Sequence, residues 1–195
     1  MEKKLSLVGA GPGDPDLISV KGIKTLAQAD VVLYDALVHP ELLSYAPSKA
    51  IKIHVGKRAG KHSYKQEEIN ELIIEHVFSH GHVVRLKGGD PFIFARGKEE
   101  IEYAESFGIS TQVVPGISSI NLAGMYGLPL TTRGVNESFW VVTATTKSGE
   151  LSQDVAKVTE TTATAVFLMG LRKAAAISTA YALQDKADLP AAIVS

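Results

Sequence analysis

Short β-branched runs alternate with segments of helical period along most of this chain, and that alternation leaves few architectures open. Lys4 to Val8, Val31 to Tyr34, Ile51 to Val55, Val83 to Leu86 and Gln112 to Val114 read as strands. Between the third and fourth, Gln66 to His80 places Ile69, Leu72, Ile73 and Val77 on one helical face, with Ser63 and Gln66 at capping-box spacing. Strands joined through helices of this length run parallel, because a parallel pair needs a long crossover. The expectation is an α/β protein with a mainly parallel sheet.

Near Pro115-Gly116 the rhythm pauses and a second set begins. A helix from about Ser118, strands at Phe139 to Thr143 and Ala165 to Met169, a helix over Arg172 to Leu183 and an apolar run at Ala191 to Val194 follow in order. We therefore expect two αβ domains, 1–116 and 117–195. The second reads as incomplete, since about 80 residues lies near the lower limit for an independent core.

Charge and composition narrow the partners. A net charge of −1 leaves no overall basic field for nucleic acid or an anionic membrane, so the expected partner is a small molecule. Every apolar run falls short of the roughly 20 residues that cross a bilayer, and the stretch before Gly9 is too short for a secretory signal. The chain has no cysteine, which excludes disulfides, thiolate ligands and a cysteine nucleophile. That agrees with a reducing compartment, for which the cytoplasm is the default. The histidines offer no helical pair with an acidic third ligand, so no metal site is expected.

Three loops at strand ends carry the candidate chemistry. Val8 to Pro15 is glycine-rich, but its G-x-G-x-G spacing is not the dinucleotide fingerprint, and Pro12 removes an amide donor. Asp30 or Asp35 could still serve as a ribose acid, so a nucleotide-binding oxidoreductase stays open beside a plain turn. Leu86 to Phe94 offers two glycines, the carboxylate of Asp90 and an apolar wall for a purine; its rival reading is a tight turn. Gly56 to His62 is cationic and suits a substrate bearing carboxylates, against the alternative of a solvated loop. Arg85, Lys87, Arg96 and Arg133 are further cations that could converge on a polyanion. Asp35 could relay a proton or merely cap a turn. No nucleophile elbow or Walker loop is present.

Taken together, Val8-Gly-Ala-Gly-Pro-Gly-Asp14, Tyr34-Asp-Ala-Leu-Val38, Val55-Gly-Lys-Arg-Ala-Gly60, Gln66-Glu-Glu-Ile-Asn70, Val84-Arg-Leu-Lys-Gly-Gly-Asp-Pro-Phe-Ile-Phe94 and Val114-Pro-Gly-Ile117 resemble the ordered signature of the uroporphyrinogen-III C-methyltransferases. The resemblance continues through Gly127 to Thr131 and Phe167 to Leu171. It implies two αβα domains of the tetrapyrrole methyltransferase type, with the second shortened, a cleft between them as active site, and a homodimer. It further implies S-adenosylmethionine as methyl donor and S-adenosylhomocysteine as product. The donor would meet Pro12, Gly88, Gly89, Asp90, Ile93, Ser118, Ser119 and Met169. Asp35 would accept a proton and Lys57 would donate one.

The implied reaction methylates uroporphyrinogen III on rings A and B, giving precorrin-2 for siroheme or cobalamin, and the substrate's carboxylates would meet the cationic loop. A later precorrin methyltransferase is the neighbouring alternative, and a cofactor-binding but inactive chain is a third. Two features depart from the family's pattern. Ala95 stands where glycine is usual, and Ala144-Thr145-Thr146 replaces a Gly-His turn.

Overall fold

The first five β-branched runs form one sheet in the computed structural model, which describes residues 2–56 and 64–194. Its strands are β1 (Lys4–Gly9), β2 (Val31–Tyr34), β3 (Ile51–His54), β4 (His82–Lys87) and β5 (Ser110–Val114). They lie in the order β3-β2-β4-β1-β5, and every pairing is parallel. The expected strands are thus all present, with β5 starting two residues earlier than the apolar pattern suggested.

Both faces of this sheet are covered, which is why its central strands read as continuous apolar runs instead of alternating. On one face Val8, Val32, Val84 and Leu86 pack with Leu26 of helix α1 (Val20–Leu26) and with Leu42. On the other, Leu5, Leu7, Leu33 and Val83 pack with Ile69, Ile73 and Val77 of α2 (Gln66–His80) and Ala104 of α3 (Gly97–Ser106). These are the three layers of an αβα unit, and α2 spans the residues that its periodicity predicts.

The start of α2 differs from expectation. Its N-cap is Lys65, whose backbone N–H donates to the Glu68 carboxylate at 2.6 Å; Ser63 lies outside the described residues. The short helix α1 starts where the Ser19 hydroxyl accepts from the Gly22 amide at 3.0 Å.

The chain divides into two units, Met1–Ser119 and Ile120–Ser195. In the second, β6 (Phe139–Thr143) and β7 (Thr164–Leu168) pair in parallel. They share a small core of Val142, Val155 and Val158 with Phe167 and Ile177, supplied in part by α5 (Gln153–Thr159) and α6 (Ala174–Ala182). The helix expected from Ser118 is instead a 3₁₀ turn over Ser119–Asn121 followed by one helical turn, α4 (Leu122–Met125). Gly124, Gly127 and Pro129 explain its brevity, since each weakens or ends a helix. The helix expected over Arg172 to Leu183 likewise opens with a 3₁₀ turn before α6. Residues 191–194 carry no regular structure. Among the described residues no helix is long and apolar enough to cross a membrane.

Candidate active site at the carboxyl edge of the first sheet

Because β1, β2, β4 and β5 all point the same way, the loops that follow them share one edge of the sheet. Open α/β sheets bind their ligands at that carboxyl edge. Three of these loops are joined by backbone. The Gly89 amide donates to the Gly11 carbonyl at 2.7 Å, and the Gly11 amide returns a bond to Gly89 at 3.3 Å. A Cβ on Gly116 would stand 2.2 Å from the Gly89 carbonyl oxygen and 2.6 Å from the Gly9 Cα. The loops after β1, β4 and β5 therefore touch at glycines, and no side chain fits between them.

Asp90 completes this junction. Its Oδ2 accepts from the Gly116 amide at 3.1 Å and its Oδ1 from the Phe92 amide at 2.8 Å. Both oxygens are thus engaged by backbone, so Asp90 acts first as the tie between the second loop and the turn after β5. Ser118, two residues beyond Gly116, is buried, and Ser119 is exposed. Gly89 has φ +68°, a conformation that favours glycine, and a Cβ there would have only the Ser118 Cα within 4.0 Å. The backbone is consequently open to a ligand at Gly89, whereas the Leu37 side chain fills the corresponding space at Gly88.

Beyond it stand Phe92, Ile93 and Phe94, each more than a third exposed. Phe94 and Arg96 have positive φ, while Ala95 between them does not. The departure at Ala95 therefore meets no backbone demand for glycine. Pro12 sits half-buried in the first loop. That loop does not lead straight into a helix, since α1 begins only at Val20, and the Gly11 amide is already paired. It lacks the strand–turn–helix geometry that presents free amides to a pyrophosphate.

Asp35 follows β2 on the same edge. Its amide donates to the Leu86 carbonyl at 3.2 Å, and the neighbouring Leu37 side chain lies against Gly88. The Asp35 Oδ1 accepts from Arg85 Nη2 at 2.5 Å, and the side chain remains 27% exposed. Its Oδ2 has no partner among the described residues. Here the structure corrects the reading of Arg85 and Lys87 as cations open to a polyanionic substrate. Both are buried inside β4. Arg85 Nε donates to Glu100 Oε1 at 3.3 Å and Lys87 Nζ to the same oxygen at 2.9 Å. Burial holds the Lys87 ammonium below its ordinary value, Arg85 adds to that effect, and Glu100 opposes it. Arg96 is exposed but paired with Glu99 at 2.6 Å.

Glu100 was not foreseen. A signal for it existed: a parallel strand buried on both faces cannot hold Arg85 and Lys87 without an internal anion. Lys57, Arg58, Lys61 and His62 of the cationic loop lie outside the described residues. Met169, in the second unit, follows β7 with φ +54° and is 59% exposed. Its carbonyl accepts from the Thr145 hydroxyl at 3.1 Å, so the Ala144-Thr145-Thr146 substitution supplies a bond between the turns after β6 and β7. A non-glycine residue at positive φ is uncommon, and backbone strain of this kind clusters at functional sites. No group of three potential metal ligands occurs among the described residues.

A parallel αβα sheet with close-packed glycine turns and an acid at its carboxyl edge defines a small-molecule-binding α/β protein. The chain belongs to the tetrapyrrole (corrin/porphyrin) methylases, whose family model matches residues 4–195. It is 49% identical over 172 residues to the uroporphyrinogen-III C-methyltransferase of Methanocaldococcus jannaschii, covering 88% of this chain and 71% of that protein. It is 46% identical over 196 residues to the siroheme synthase of Photorhabdus laumondii, spanning 100% of this chain and 42% of that protein. The uroporphyrin-III C-methyl transferase of Thermus thermophilus complexed with S-adenosylhomocysteine superposes with a TM-score of 0.77 at 40% identity, covering 92% of this chain and 76% of that one.

Proposed function

We propose that this chain transfers methyl groups from S-adenosylmethionine to two pyrrole carbons of uroporphyrinogen III, on rings A and B, giving precorrin-2. One observation carries the reading: the open Gly89 backbone lies on the same sheet edge as Asp35, a partly exposed carboxylate with one oxygen uncommitted among the described residues. The methyl donor's sulfonium supplies an electrophilic methyl group, and a reduced tetrapyrrole supplies an enamine-like carbon nucleophile. The protein's part is then alignment and proton handling, with no need for a nucleophile of its own.

In this reading Gly88, Gly89 and Asp90 meet the donor through their backbone. Ile93 gives its adenine an apolar wall, and Pro12, Ser118, Ser119 and Met169 add further contacts. Asp35 takes a proton from the macrocycle after methylation, and Lys57 gives one back. The residues fit such a donor, since the cradle at Gly89 is open where a side chain would fill it and apolar surface stands exposed beyond it. The reading extends to a cytoplasmic homodimer whose product serves siroheme or cobalamin synthesis.

Anaerobic incubation with uroporphyrinogen III and isotopically labelled S-adenosylmethionine tests it. Transfer of two methyls per macrocycle is expected; faster turnover on a later precorrin would redirect the assignment. Calorimetry separates the oxidoreductase alternative, with S-adenosylhomocysteine expected to bind and NAD not.

A further inference from the structure

We infer that Glu100 is a positioning residue for the reaction: from inside the fold it fixes Arg85 and thereby the Asp35 carboxylate. This rests on the role proposed for Asp35. Arg85 is 2% exposed and each nitrogen of its guanidinium is held. Nε donates to Glu100, Nη1 to the Leu33 and Leu86 carbonyls at 3.3 and 3.2 Å, and Nη2 to Asp35. A planar group held by three contacts at two of its corners has one orientation, so the fourth contact, at the third corner, places the Asp35 oxygen. Among these anchors Glu100 supplies the only charge, apart from Asp35 itself.

The fold delivers Glu100 to this point through the second loop. The Gly97 amide donates to the Pro91 carbonyl at 3.0 Å, and a Cβ on Gly97 would stand 2.3 Å from that oxygen, so only glycine fits where α3 starts. Glu100, one turn in, is 1% exposed. Three donors converge on its Oε1: Arg85, Lys87 and Gln66, the last at 3.2 Å. Its Oε2 is buried with no hydrogen-bond partner among the described residues. An unsatisfied buried carboxylate oxygen is costly, yet the donors are not shared between both oxygens. Here they gather on the one that faces Arg85 and Lys87. With two cations and two carboxylates the group of Asp35, Arg85, Glu100 and Lys87 is neutral, so Asp35 meets a balanced and rigid environment.

A double-mutant cycle tests the coupling. Glu100→Gln is expected to lower kcat at least about tenfold, in line with the cost of misplacing a catalytic group, while KM and S-adenosylhomocysteine affinity stay within about twofold. In an Asp35→Asn background the same substitution is expected to have almost no further effect. An equal loss of kcat in both backgrounds would overturn the inference, because Glu100 would then act independently of Asp35. If Asp35→Asn alone left kcat unchanged, the role given to Asp35 would fail and this inference with it. Should Glu100→Gln not fold, Glu100→Asp keeps the charge and enters the same cycle. Its smaller loss of kcat must also vanish beside Asp35→Asn, and persistence there counts against the inference.

Discussion

Asp35 and Lys57 are given opposite proton roles, and their variants should separate chemistry from binding. Asp35→Asn keeps the shape and the acceptor for Arg85 but removes the base. A loss of kcat of about 10²–10⁴-fold is expected with S-adenosylhomocysteine affinity nearly unchanged, since general-base catalysis contributes on that scale. Steady-state kinetics beside calorimetry checks this. Lys57→Ala should likewise lower turnover and spare the affinity for S-adenosylhomocysteine; an equal loss of both would remove it from proton transfer. Glu100→Ala asks a question about stability. It leaves the Arg85 and Lys87 charges buried without their shared carboxylate, for which a cost of about 3–5 kcal/mol is typical. Chemical denaturation should report a loss of that order.

At the scale of elements, the glycine junction and the sheet determine whether a site exists at all. Gly116→Ala would drive a methyl group into the Gly89 carbonyl at 2.2 Å. Backbone lies on both sides, so no side chain can yield; a destabilisation of about 1–3 kcal/mol and loss of S-adenosylhomocysteine binding are expected by thermal melting and calorimetry. Much of this layer was legible in the sequence. Val31–Tyr34, Gln66–His80 and Phe139–Thr143 fall where their patterns placed them, because apolar periodicity records which face is buried. The loops' common edge followed from parallel strands. The short helix α1 escaped notice because Gly22 and two lysines interrupt its apolar face. The start of α3 at Arg96 in the left-handed region has no cap residue to announce it. The partnering of Arg85 and Lys87 was hidden for another reason. It joins β4 to residue 100 through tertiary packing, and spacing along a chain does not encode which buried cation meets which carboxylate.

For the molecule as a whole, pH and assembly provide independent checks. Burial holds the His82 imidazole below its ordinary value of 6.5; the Gln28 carbonyl opposes this and Lys4 adds to it. His82 Nδ1 donates to that carbonyl at 3.0 Å, so its Nε2 is left to accept from Ser6 at 2.9 Å. His76 is held below its ordinary value as well, chiefly by burial. As pH falls below 6.5 the unfolded chain takes up these protons before the folded one does. Stability is therefore full above 6.5 and declines as pH falls toward the folded-state values. His82→Gln should flatten that decline in denaturation curves between pH 7 and 5. Light scattering in solution is expected to give twice the chain mass if the homodimer forms. The central claim concerns the turn from Lys87 to Phe94, and a crystal soaked with S-adenosylhomocysteine tests it most directly. The account predicts the ligand against the Gly88-Gly89-Asp90 backbone with Ile93 beside its adenine; density for it away from this turn would contradict the account.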